Sequence, residues 1–436
     1  MKLLHLVPAY FPEGAGGIQN YVRRLVQEQR SRGHEVAVLT GQPDGRPQIE
    51  LERDEFEGVP VWRLCRNDPF LEHYSRGVHA EARERILEIV EHEGVERLHV
   101  HSWIRLTGDI VAAAAERGVP SLVTLHDYLV SCARCYRHHA DGKACARPFA
   151  AEHCVPCAPR FGGESDELVR TGLELFAQTL ATELQCATHV LLSTEGMRDR
   201  LQAWTAWRGE RSEILPLPEE VSLAPAATAA AGPPWKLITW GRHSWHKGTG
   251  LLLDALRLLG DRASEFRLEL WGPCAPDDFE ADLRRRAEGL PVTFVGEFEP
   301  AQLEAADAHL AVFTTACLET HGLVLDEARA LGWPVLVPVL GALADRLDGE
   351  GTTYVHDDPR DLAAALERWA SEAAGRGSET ARGSGGSAPH RWAEHVDRLE
   401  ELLAEARAPE RGPNRAAADD DRWRELRRAM GESPPF

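Results

Sequence analysis

The 436-residue chain contains very little lysine and no long apolar run. Only four of its 49 basic residues are lysines, namely Lys2, Lys143, Lys236 and Lys247. Acidic residues number 69, so the formal net charge is −20. A protein that binds nucleic acid through phosphate contacts needs a basic face, and this acidic surplus argues against that class. We therefore expect no nucleic-acid partner.

The chain also lacks a window of 18 or more uncharged apolar residues, so the sequence predicts no membrane-spanning helix. The apolar run after Met1 is short and ends at Pro8, unlike a secretory signal. We expect a cytoplasmic protein with reduced thiols. The basic segment Arg422–Arg428 would allow at most peripheral membrane contact, and a solvated helix is the favoured interpretation.

Short β-branched runs alternate with helical patterns along most of the chain. A composition of 43% hydrophobic and 27% charged residues is typical of a soluble globular protein. The predicted strands of the first half are Lys2–Val7, Glu35–Thr40, Pro60–Leu64, Arg97–His101, Ser121–His126, His189–Thr194 and Glu213–Pro216. Its predicted helices include Ile18–Arg32, Val78–Glu93 and Thr107–Arg117. This alternation indicates βαβ units around a mostly parallel sheet, with ligand sites beyond the carboxyl ends of the strands.

The same alternation restarts in the second half. Predicted strands there are Lys236–Thr239, Arg267–Trp271, Val292–Val295, His309–Phe313 and Pro334–Val337. Predicted helices are Thr249–Leu259, Asp278–Glu288, Leu323–Leu331 and Arg360–Ala373. The chain therefore reads as two successive Rossmann-like, doubly wound α/β domains of comparable size.

Composition shifts mark the domain limits. We predict an N-terminal domain over 1–220 with a cysteine-rich loop at 131–160, an alanine- and proline-rich linker over 221–234, and a second domain over 235–374. A Gly/Ser-rich linker over 375–390 precedes a helix over 391–407, whose apolar residues recur at helical spacing. The tail over 408–436 is expected to be mobile apart from a helix at Arg422–Met430.

A glycine-rich turn follows the first predicted strand and contains Gly14, Gly16 and Gly17. Glycine lets the backbone approach a ligand, and the N-terminus of the following helix attracts anions. Gln19 stands where a dinucleotide-binding fingerprint would place its third glycine, which argues against a nicotinamide or flavin site. The segment alone leaves an anion site and an ordinary tight turn equally open.

Two further segments carry charged residues at places suited to a ligand. Arg242 and Lys247 lie five residues apart on a Gly-flanked loop that follows the first strand of the second domain, where they can meet a diphosphate from two sides. Glu319 precedes a predicted helix and Glu327 lies inside it, while the amides of Gly322, Leu323 and Val324 would face a phosphate at the helix N-terminus. When each segment is considered alone, the Arg242–Lys247 pattern is also explained by a solvated basic loop, and the Glu319–Glu327 pattern by a surface helix.

Taken together, these segments resemble the family 4 glycosyltransferases, a large retaining group with the two-domain GT-B fold. The resemblance covers most of residues 1–373. Its motifs, in order, are Gln19-Asn-Tyr-Val, Arg32-Gly-His-Glu-Val, Thr124-Leu-His-Asp, Gly241-Arg…Lys247-Gly, Glu319-x7-Glu327-Ala and Gly332-Trp-Pro-Val. It implies two α/β domains facing each other across a cleft, with a nucleoside-diphosphate sugar bound mainly by the second domain and a hydroxyl acceptor by the first.

The resemblance also implies roles for single residues. Arg242 and Lys247 match the pair that neutralises the leaving diphosphate, and Glu327 matches the residue that holds the nucleotide ribose. Glu319 and His126 match the groups that face the donor sugar, and we take these two as the catalytic candidates. The turn at Gly16 and Gly17 matches one that closes on phosphate. Without the surrounding motifs, His126 would be read as a core histidine at a strand end.

The sequence departs from the family pattern at three places. Leu215-Pro-Leu-Pro-Glu219 replaces an Asn-Gly pair, Gly341-Ala-Leu-Ala-Asp345 replaces a glycine pair followed by glutamate, and Thr314-Thr315 replaces Pro-Ser. None touches the Arg/Lys or Glu/Glu groups. These three departures therefore weaken the prediction of which donor is used more than they weaken the prediction of glycosyltransferase activity.

Five of the nine cysteines fall within 26 residues. The pattern Cys132-x2-Cys135…Cys145…Cys154-x2-Cys157 approaches metal-ligand spacing. Zinc is the first choice, ahead of an iron–sulfur cluster or disulfides, and unligated thiols in a long loop remain an equal alternative. Family members with four cysteines after the His-Asp pair would select Cys132, Cys145, Cys154 and Cys157. The further candidate ligands are Cys135, His138, His139 and His153.

The sequence thus predicts a retaining glycosyltransferase that needs no cofactor for catalysis, with a structural zinc ion as an option. A nucleotide-sugar epimerase of the same fold is one alternative, and turnover of donor without acceptor would support it. A non-catalytic relative that binds a nucleotide sugar is another. The base, sugar and acceptor cannot be read from the sequence.

Overall fold

The computed structural model of the chain describes residues 1–14, 16–43, 45–68, 73–160, 162–218, 223–227, 229–275, 277–347, 349, 351–376, 391–408 and 417–430. Most of the predicted Gly/Ser-rich linker, residues 377–390, lies outside these ranges. The same is true of residues 409–416 and 431–436 in the predicted tail, and of residues 221, 222 and 228 in the predicted interdomain linker.

The chain divides into two compact units, each built from more than one segment. Unit 1 consists of Met1–Cys135, Arg147–Pro216 and Ala393–Phe436. Unit 2 consists of Tyr136–Ala146 and Leu217–Trp392. The division at Pro216 lies four residues before the predicted domain limit. The cysteine-rich loop, predicted as part of the first domain, contributes its central residues to unit 2.

Unit 1 is built on an eight-stranded sheet with the order β3-β4-β2-β1-β5-β6-β7-β8. All neighbouring strands are parallel except β3 and β4. The strands are β1 (Lys2–Val7), β2 (Glu35–Gly41), β3 (Glu50–Phe56), β4 (Val59–Cys65), β5 (Arg97–Val100), β6 (Ser121–Thr124), β7 (His189–Leu192) and β8 (Ser212–Ile214). The central strands are almost wholly buried, as a parallel sheet covered by helices on both faces requires.

The edge strand β3 was not predicted from the sequence. Its residues, ELERDEF, are mostly charged and exposed, so the apolar alternation that marks a half-buried strand is missing. It forms an antiparallel pair with β4, in which Arg63 of β4 contacts Asp54 of β3 at 3.1 Å. A charged edge of this kind discourages pairing with other chains.

The helices of unit 1 include one long element that the sequence analysis did not single out. The helices are α1 (Gly17–Ser31), α2 (Ala80–His92), α3 (Ile110–Glu116), α4 (Ala151–Cys154), α5 (Asp166–Cys186) and α6 (Glu195–Trp204), with short 3₁₀ turns at Tyr74–Arg76 and Leu129–Ser131. The Oγ atom of Ser165 accepts a hydrogen bond from the Leu168 amide and caps α5. Glu183 of α5 is fully buried and caps α3 in turn, because its carboxylate accepts from the amides of Val111 and Ala112.

Two C-terminal helices belong to unit 1 as well: α13 (Trp392–Glu405) and α14 (Ala417–Ala429). Residues of α13 pair with the end of α1 through Arg32–Asp397 at 2.6 Å, and with β8 through Arg398–Glu213 at 2.5 Å. The expectation of a solvated tail helix is wrong for α14. Its Trp423 and Leu426 are buried, since they share one face of the helix and that face packs against α5.

Unit 2 contains a six-stranded, wholly parallel sheet with the order β11-β10-β9-β12-β13-β14. Its strands are β9 (Trp235–Trp240), β10 (Phe266–Trp271), β11 (Val292–Gly296), β12 (Leu310–Val312), β13 (Val335–Pro338) and β14 (Thr352–Tyr354). Its helices are α7 (Thr249–Leu258), α8 (Asp277–Ala287), α9 (Pro300–Ala305), α10 (Leu323–Leu331), α11 (Gly341–Asp345) and α12 (Pro359–Arg376), with 3₁₀ turns at Trp245–Lys247 and Gly260–Glu265.

Alternation along β9 divides the core of unit 2 into two layers. Leu237 packs with residues of α7 and α12 on one face of the sheet. Ile238, its neighbour in sequence, packs with residues around α10 on the other face. Successive side chains of a strand point to opposite faces, so one apolar strand supports helices on both sides. The predicted α/β architecture with two doubly wound sheets is confirmed. Among the described helices, none has both the length and the apolar content needed to cross a bilayer.

Candidate active site

The loop after β9 carries both predicted diphosphate-binding cations. Arg242 and Lys247 are exposed, and Lys247 lies in the 3₁₀ turn that precedes α7. The Nζ atom of Lys247 donates to Oε1 of Glu319 at 2.5 Å, so the structure brings together two residues 72 positions apart. The Glu319 carboxylate raises the pKa of Lys247, which keeps the ammonium charged at neutral pH.

Backbone carbonyls of this loop are tied to the segment that follows β12. The Thr315 hydroxyl donates to the carbonyl of His246 at 3.2 Å, and the Thr314 hydroxyl donates to that of Lys247 at 3.3 Å. The two threonines that depart from the family pattern therefore hold the Lys247 turn. Gly248 continues the turn with φ +64, and a Cβ atom there would lie only 1.9 Å from the Thr314 carbonyl oxygen. The close approach requires glycine at this position.

The N-terminus of α10 matches the sequence prediction residue for residue. Gly322 is the N-cap at φ +78, and no described side chain caps the helix. The amides of Leu323 and Val324 at this end have no partner within the helix. Glu319 lies just before α10 and Glu327 lies within it. The Glu327 carboxylate accepts a hydrogen bond from Trp240 Nε1 at 2.5 Å. Burial raises the pKa of Glu327.

A buried ion-pair cluster that the sequence analysis missed supports this helix. The Asp326 carboxylate accepts from Arg346 Nη2 at 2.6 Å and lies 3.1 Å from His321 Nε2. Burial opposes the charge, but His321 and Arg346 outweigh it and hold the pKa of Asp326 below its usual range. Arg346 also donates to the His321 carbonyl at 2.9 Å. The sequence signal was Asp326 itself, an acidic residue within the predicted amphipathic helix Leu323–Leu331.

The hairpin of the cysteine-rich loop, residues 136–146, packs in unit 2 beside the Lys247 turn. The rings of Tyr136 and His138 each lie 5.0 Å from the ring of His246. The Leu318 amide donates to the Tyr136 carbonyl at 3.3 Å, next to Glu319. The Ala144 amide donates to Asp357 Oδ2 at 3.0 Å. The hairpin thus contacts the immediate neighbours of both Lys247 and Glu319.

In unit 1, the glycine turn opens α1 as predicted. Gly16 is the N-cap, and the first turn of α1 contains no acidic residue. The backbone of Gly16 is extended at φ −178, so its conformation does not demand glycine. A Cβ there would lie 2.8 Å from Gln19 Oε1, which is the flexible end of a side chain. Gly17 and the residues after it present amides at this helix end, as an anion site requires.

His126 follows β6 and is partly exposed, unlike the histidines around it. Its Nε2 atom lies 3.0 Å from Nδ1 of His101, and its ring centroid is 5.4 Å from that of Tyr21. The next residue, Asp127, accepts a hydrogen bond from the Leu129 amide at 2.8 Å, which fixes the turn after the strand. His101 and Tyr21 were not singled out by the sequence analysis.

The predicted metal ligands are divided between the two units. Cys145 belongs to unit 2, whereas Cys132, Cys154 and Cys157 belong to unit 1. The Cys145 sulfur lies 3.9 Å from a guanidinium nitrogen of Arg137. His5, His99 and His101 form a group of candidate metal ligands in the described part of the chain, because their ring nitrogens lie within 4.8 Å of one another. The zinc site at the four cysteines stays a prediction of the sequence that metal analysis of the purified protein would test.

Comparisons with known proteins agree with this architecture. Residues 16–218 match the glycosyl transferase 4-like domain, and residues 234–372 match the glycosyl transferases group 1. A GDP-mannose-dependent α-(1-6)-phosphatidylinositol dimannoside mannosyltransferase from Mycobacterium tuberculosis is 26% identical over 380 residues, covering 84% of this chain and 87% of that protein.

Solved structures share the fold at low sequence identity. Sucrose-phosphate synthase from Thermosynechococcus elongatus superposes with a TM-score of 0.65 at 18% identity, covering 93% of this chain and 98% of that one. Anabaena HepE, solved in complex with UDP-glucose, gives a TM-score of 0.58 at 16% identity, covering 93% and 99%. The two family matches together span both α/β units, and the chain belongs to the glycosyltransferases, with a glycosyl transferase 4-like domain followed by a group 1 domain.

Proposed function

We propose that the protein transfers one sugar, with retention of anomeric configuration, from a nucleoside-diphosphate sugar to an alcohol. The observation that carries the proposal is the group of Lys247, Glu319 and the uncapped N-terminus of α10 within unit 2. A cation, a carboxylate and free amides at one end of a parallel sheet are the groups that a sugar diphosphate requires.

The leaving group dictates what each residue does. When the bond between the sugar carbon and the diphosphate oxygen breaks, negative charge develops on the diphosphate. Lys247 and Arg242 stabilise that charge, together with the amides of Leu323 and Val324. The new bond forms between the same sugar carbon and the acceptor oxygen, and the proton of the acceptor hydroxyl passes to the departing diphosphate.

The carboxylates bind hydroxyl groups. Glu327 accepts hydrogen bonds from the nucleotide ribose, and the Trp240 N–H holds one of its oxygens in place. Glu319 faces the sugar once Lys247 turns toward the diphosphate. In unit 1, the family resemblance makes His126 the candidate for a contact to the sugar, and Gly16 and Gly17 the candidates for a contact to phosphate.

The sugar and the nucleotide base of the donor have to be identified by experiment, because the relatives differ in both. The mycobacterial relative is GDP-mannose-dependent, and the Anabaena neighbour was solved with UDP-glucose. A panel of UDP-, GDP- and ADP-sugars is first screened by thermal shift, since a ligand that binds only the folded state raises Tm. Donors that bind are then incubated with hydroxyl acceptors, and the anomeric configuration of the product is determined by NMR.

The proposal predicts one strongly stabilising nucleotide sugar and a product that keeps the donor's configuration. An inverted product would refute retention. Binding of no nucleotide sugar in the panel would refute the donor class.

A further inference from the structure

Three buried histidines lie close together in the core of unit 1, and one ring nitrogen of each lies within 4.8 Å of the other two. His5 has no exposed surface, and His99 and His101 are 1% and 2% exposed. The ring centroids of His99 and His101 are 4.1 Å apart, and those of His5 and His101 are 5.3 Å apart. These three residues form the histidine cluster.

Parallel strand pairing explains why the histidines meet. His5 of β1 is the register partner of His99 of β5, so both side chains lie on the same face of the sheet. His101 is two residues beyond His99, and its amide donates to the Leu6 carbonyl at 2.9 Å, which continues the pairing with β1. Because β1 and β5 are neighbours in the middle of the eight-stranded sheet, the backbone holds the three positions firmly.

Each histidine uses one ring nitrogen for a contact outside the cluster. The three contacts are His5 Nε2 to Gln29 Oε1 at 2.8 Å, His99 Nε2 to the Thr124 hydroxyl at 2.8 Å, and His101 Nδ1 to His126 Nε2 at 3.0 Å. Histidines that bind a metal ion are arranged in this way, since one ring nitrogen binds the ion and the other contacts a surrounding polar group.

The second ring nitrogen of each histidine is left within the cluster. These atoms are Nδ1 of His5, Nδ1 of His99 and Nε2 of His101. His5 Nδ1 and His101 Nε2 are 3.0 Å apart. His99 Nδ1 is buried and has no hydrogen-bond partner among the described residues. Because a buried polar atom without a partner is costly, this nitrogen points to a ligand that takes up its lone pair.

Burial keeps the three rings neutral. It lowers the pKa of His5 to about 4 and lowers the pKa of His99 and His101 well below the ordinary value. A neutral imidazole has one nitrogen with a lone pair available to a cation. A metal ion that binds at neutral pH therefore has no proton to displace from the cluster.

The ligand set selects the kind of ion. Imidazole nitrogen suits zinc, copper and nickel, whereas magnesium and calcium prefer oxygen. Nitrogen ligands about 2.0–2.1 Å from a tetrahedral zinc ion are about 3.4 Å from one another. The 3.0 Å between His5 Nδ1 and His101 Nε2 is already close to that value, and small rotations of the rings bring in His99. A water molecule completes the tetrahedron.

We propose that His5, His99 and His101 bind one zinc ion, which joins β1 to β5 in the core of unit 1. Since the ligands are buried, the ion enters as unit 1 folds, and it stabilises that unit without touching a substrate. This site is separate from the zinc site that the sequence predicts at the cysteines. It is also independent of the proposed sugar transfer, so either can fail without the other.

The first test is X-ray absorption at the zinc edge of the wild-type protein, produced in zinc-supplemented medium and freed of loosely bound metal. We expect one equivalent of zinc with imidazole nitrogen at about 2.0–2.1 Å. Sulfur neighbours, which lie at about 2.3 Å from zinc, would come from the cysteines. A protein without zinc, or zinc surrounded by sulfur alone, would overturn the proposal.

The second test compares variants by zinc content. His99→Asn should lose the nitrogen-bound equivalent. The matched control is His92→Asn, an exposed histidine at the end of α2 in the same unit, which should retain it. Cys154→Ser should also retain it, even if a second ion at the cysteines is lost. Full zinc content in His99→Asn would overturn the proposal, as would loss of the nitrogen-bound ion in Cys154→Ser.

The third test measures stability. Wild-type protein refolded with zinc should have a higher Tm than the same protein refolded with a chelator, because the ion binds the folded state. His92→Asn should show the same difference and His99→Asn should show none. Equal Tm values for the two wild-type samples would overturn the stabilising role. If His99→Asn does not fold, the absorption spectrum of the wild-type protein decides by itself.

Discussion

The Nζ atom of Lys247 and the Oε1 atom of Glu319 form an ion pair across 2.5 Å, with about half of the lysine side chain exposed. An ion pair this accessible contributes only about 0–1 kcal/mol to stability. Lys247 can therefore exchange the carboxylate for a diphosphate at little cost. The same exchange would free Glu319 for the hydroxyl groups of a sugar.

Replacing Lys247 by alanine is expected to abolish transfer without unfolding the protein. Loss of one preorganised group that stabilises developing charge typically lowers kcat by 10²–10³-fold, or about 3–4 kcal/mol. The matched control is Lys236→Ala, which removes an ion pair to Asp307 in the same unit but outside the site. Steady-state kinetics and Tm of both variants are the measurements. Activity near wild type in Lys247→Ala would contradict the assignment.

Gly248→Ala is expected to damage the site through the backbone. The added Cβ would meet the Thr314 carbonyl oxygen at 1.9 Å, and φ is +64, so the Lys247 turn must move. We expect a loss of about 1–3 kcal/mol in stability and weaker donor binding. Gly250→Ala, two residues further on, meets only the flexible end of Arg286 and lies in helix α7, where alanine is favoured. The free energy of unfolding and the donor affinity of Gly248→Ala and Gly250→Ala are the measurements. Equal effects of the two substitutions would show that the Lys247 turn tolerates a side chain at Gly248.

The 136–146 hairpin is expected to influence donor binding, since it touches the neighbours of Lys247 and Glu319. Asp357→Ala removes the acceptor of the Ala144 amide and should loosen the hairpin. KM for the donor should rise several-fold, with a smaller change in kcat. Asp358→Ala is the control, because that carboxylate accepts from the amides of Arg360 and Asp361 at the start of α12 instead. An unchanged donor KM in Asp357→Ala would mean that the hairpin has no part in donor binding.

Unit 1 is expected to lose stability as the pH falls from about 6.5 to 4. Burial lowers the pKa of His5 to about 4, so the unfolded chain binds a proton at that residue in this range while the folded chain does not. Stability therefore decreases with decreasing pH, by about 1.4 kcal/mol per pH unit for each histidine that responds fully. The groups that face His5 are the neutral Gln29 and the rings of His99 and His101.

Hydrogen exchange measured by mass spectrometry, corrected for the intrinsic pH dependence, tests this expectation. Protection of peptides from β1 and β5 should fall over the range, and protection of peptides from β10 and β12 in unit 2 should fall less. Equal pH dependence in both units would contradict a role for the histidines.

The local sequence pattern was enough to predict those helices and strands in which buried residues recur at a regular spacing. β1 and α10 were predicted with their observed limits, because an apolar strand follows Met1 and a glycine precedes an amphipathic helix. The pattern did not reveal β3, since its charged side chains face solvent on a sheet edge. Nor did it assign the 136–146 hairpin to unit 2, because that depends on contacts with distant residues such as Asp357.

The residues of the candidate site that could be predicted are those whose side chain suggests a chemical role by itself. Lys247, Glu319 and Glu327 were found from spacing and from the family resemblance. His5, His99 and His101 were not, because their contact arises from the pairing of β1 with β5. A usable signal was present nonetheless: histidines inside apolar strand segments, as at His5 and in His99-Val-His101, are costly to bury unless they bond to one another.

The return of the chain to unit 1 has a consequence for biosynthesis. Tyr21, Arg32 and Arg97, all made early, bond to residues of α13 that the ribosome adds some 300 or more positions later. Both segments of unit 2 are synthesised before those partners emerge, since unit 2 ends at Trp392. Folding during translation therefore cannot proceed simply from the first unit to the second. The nascent first unit keeps an open helix-binding surface until α13 has left the exit tunnel.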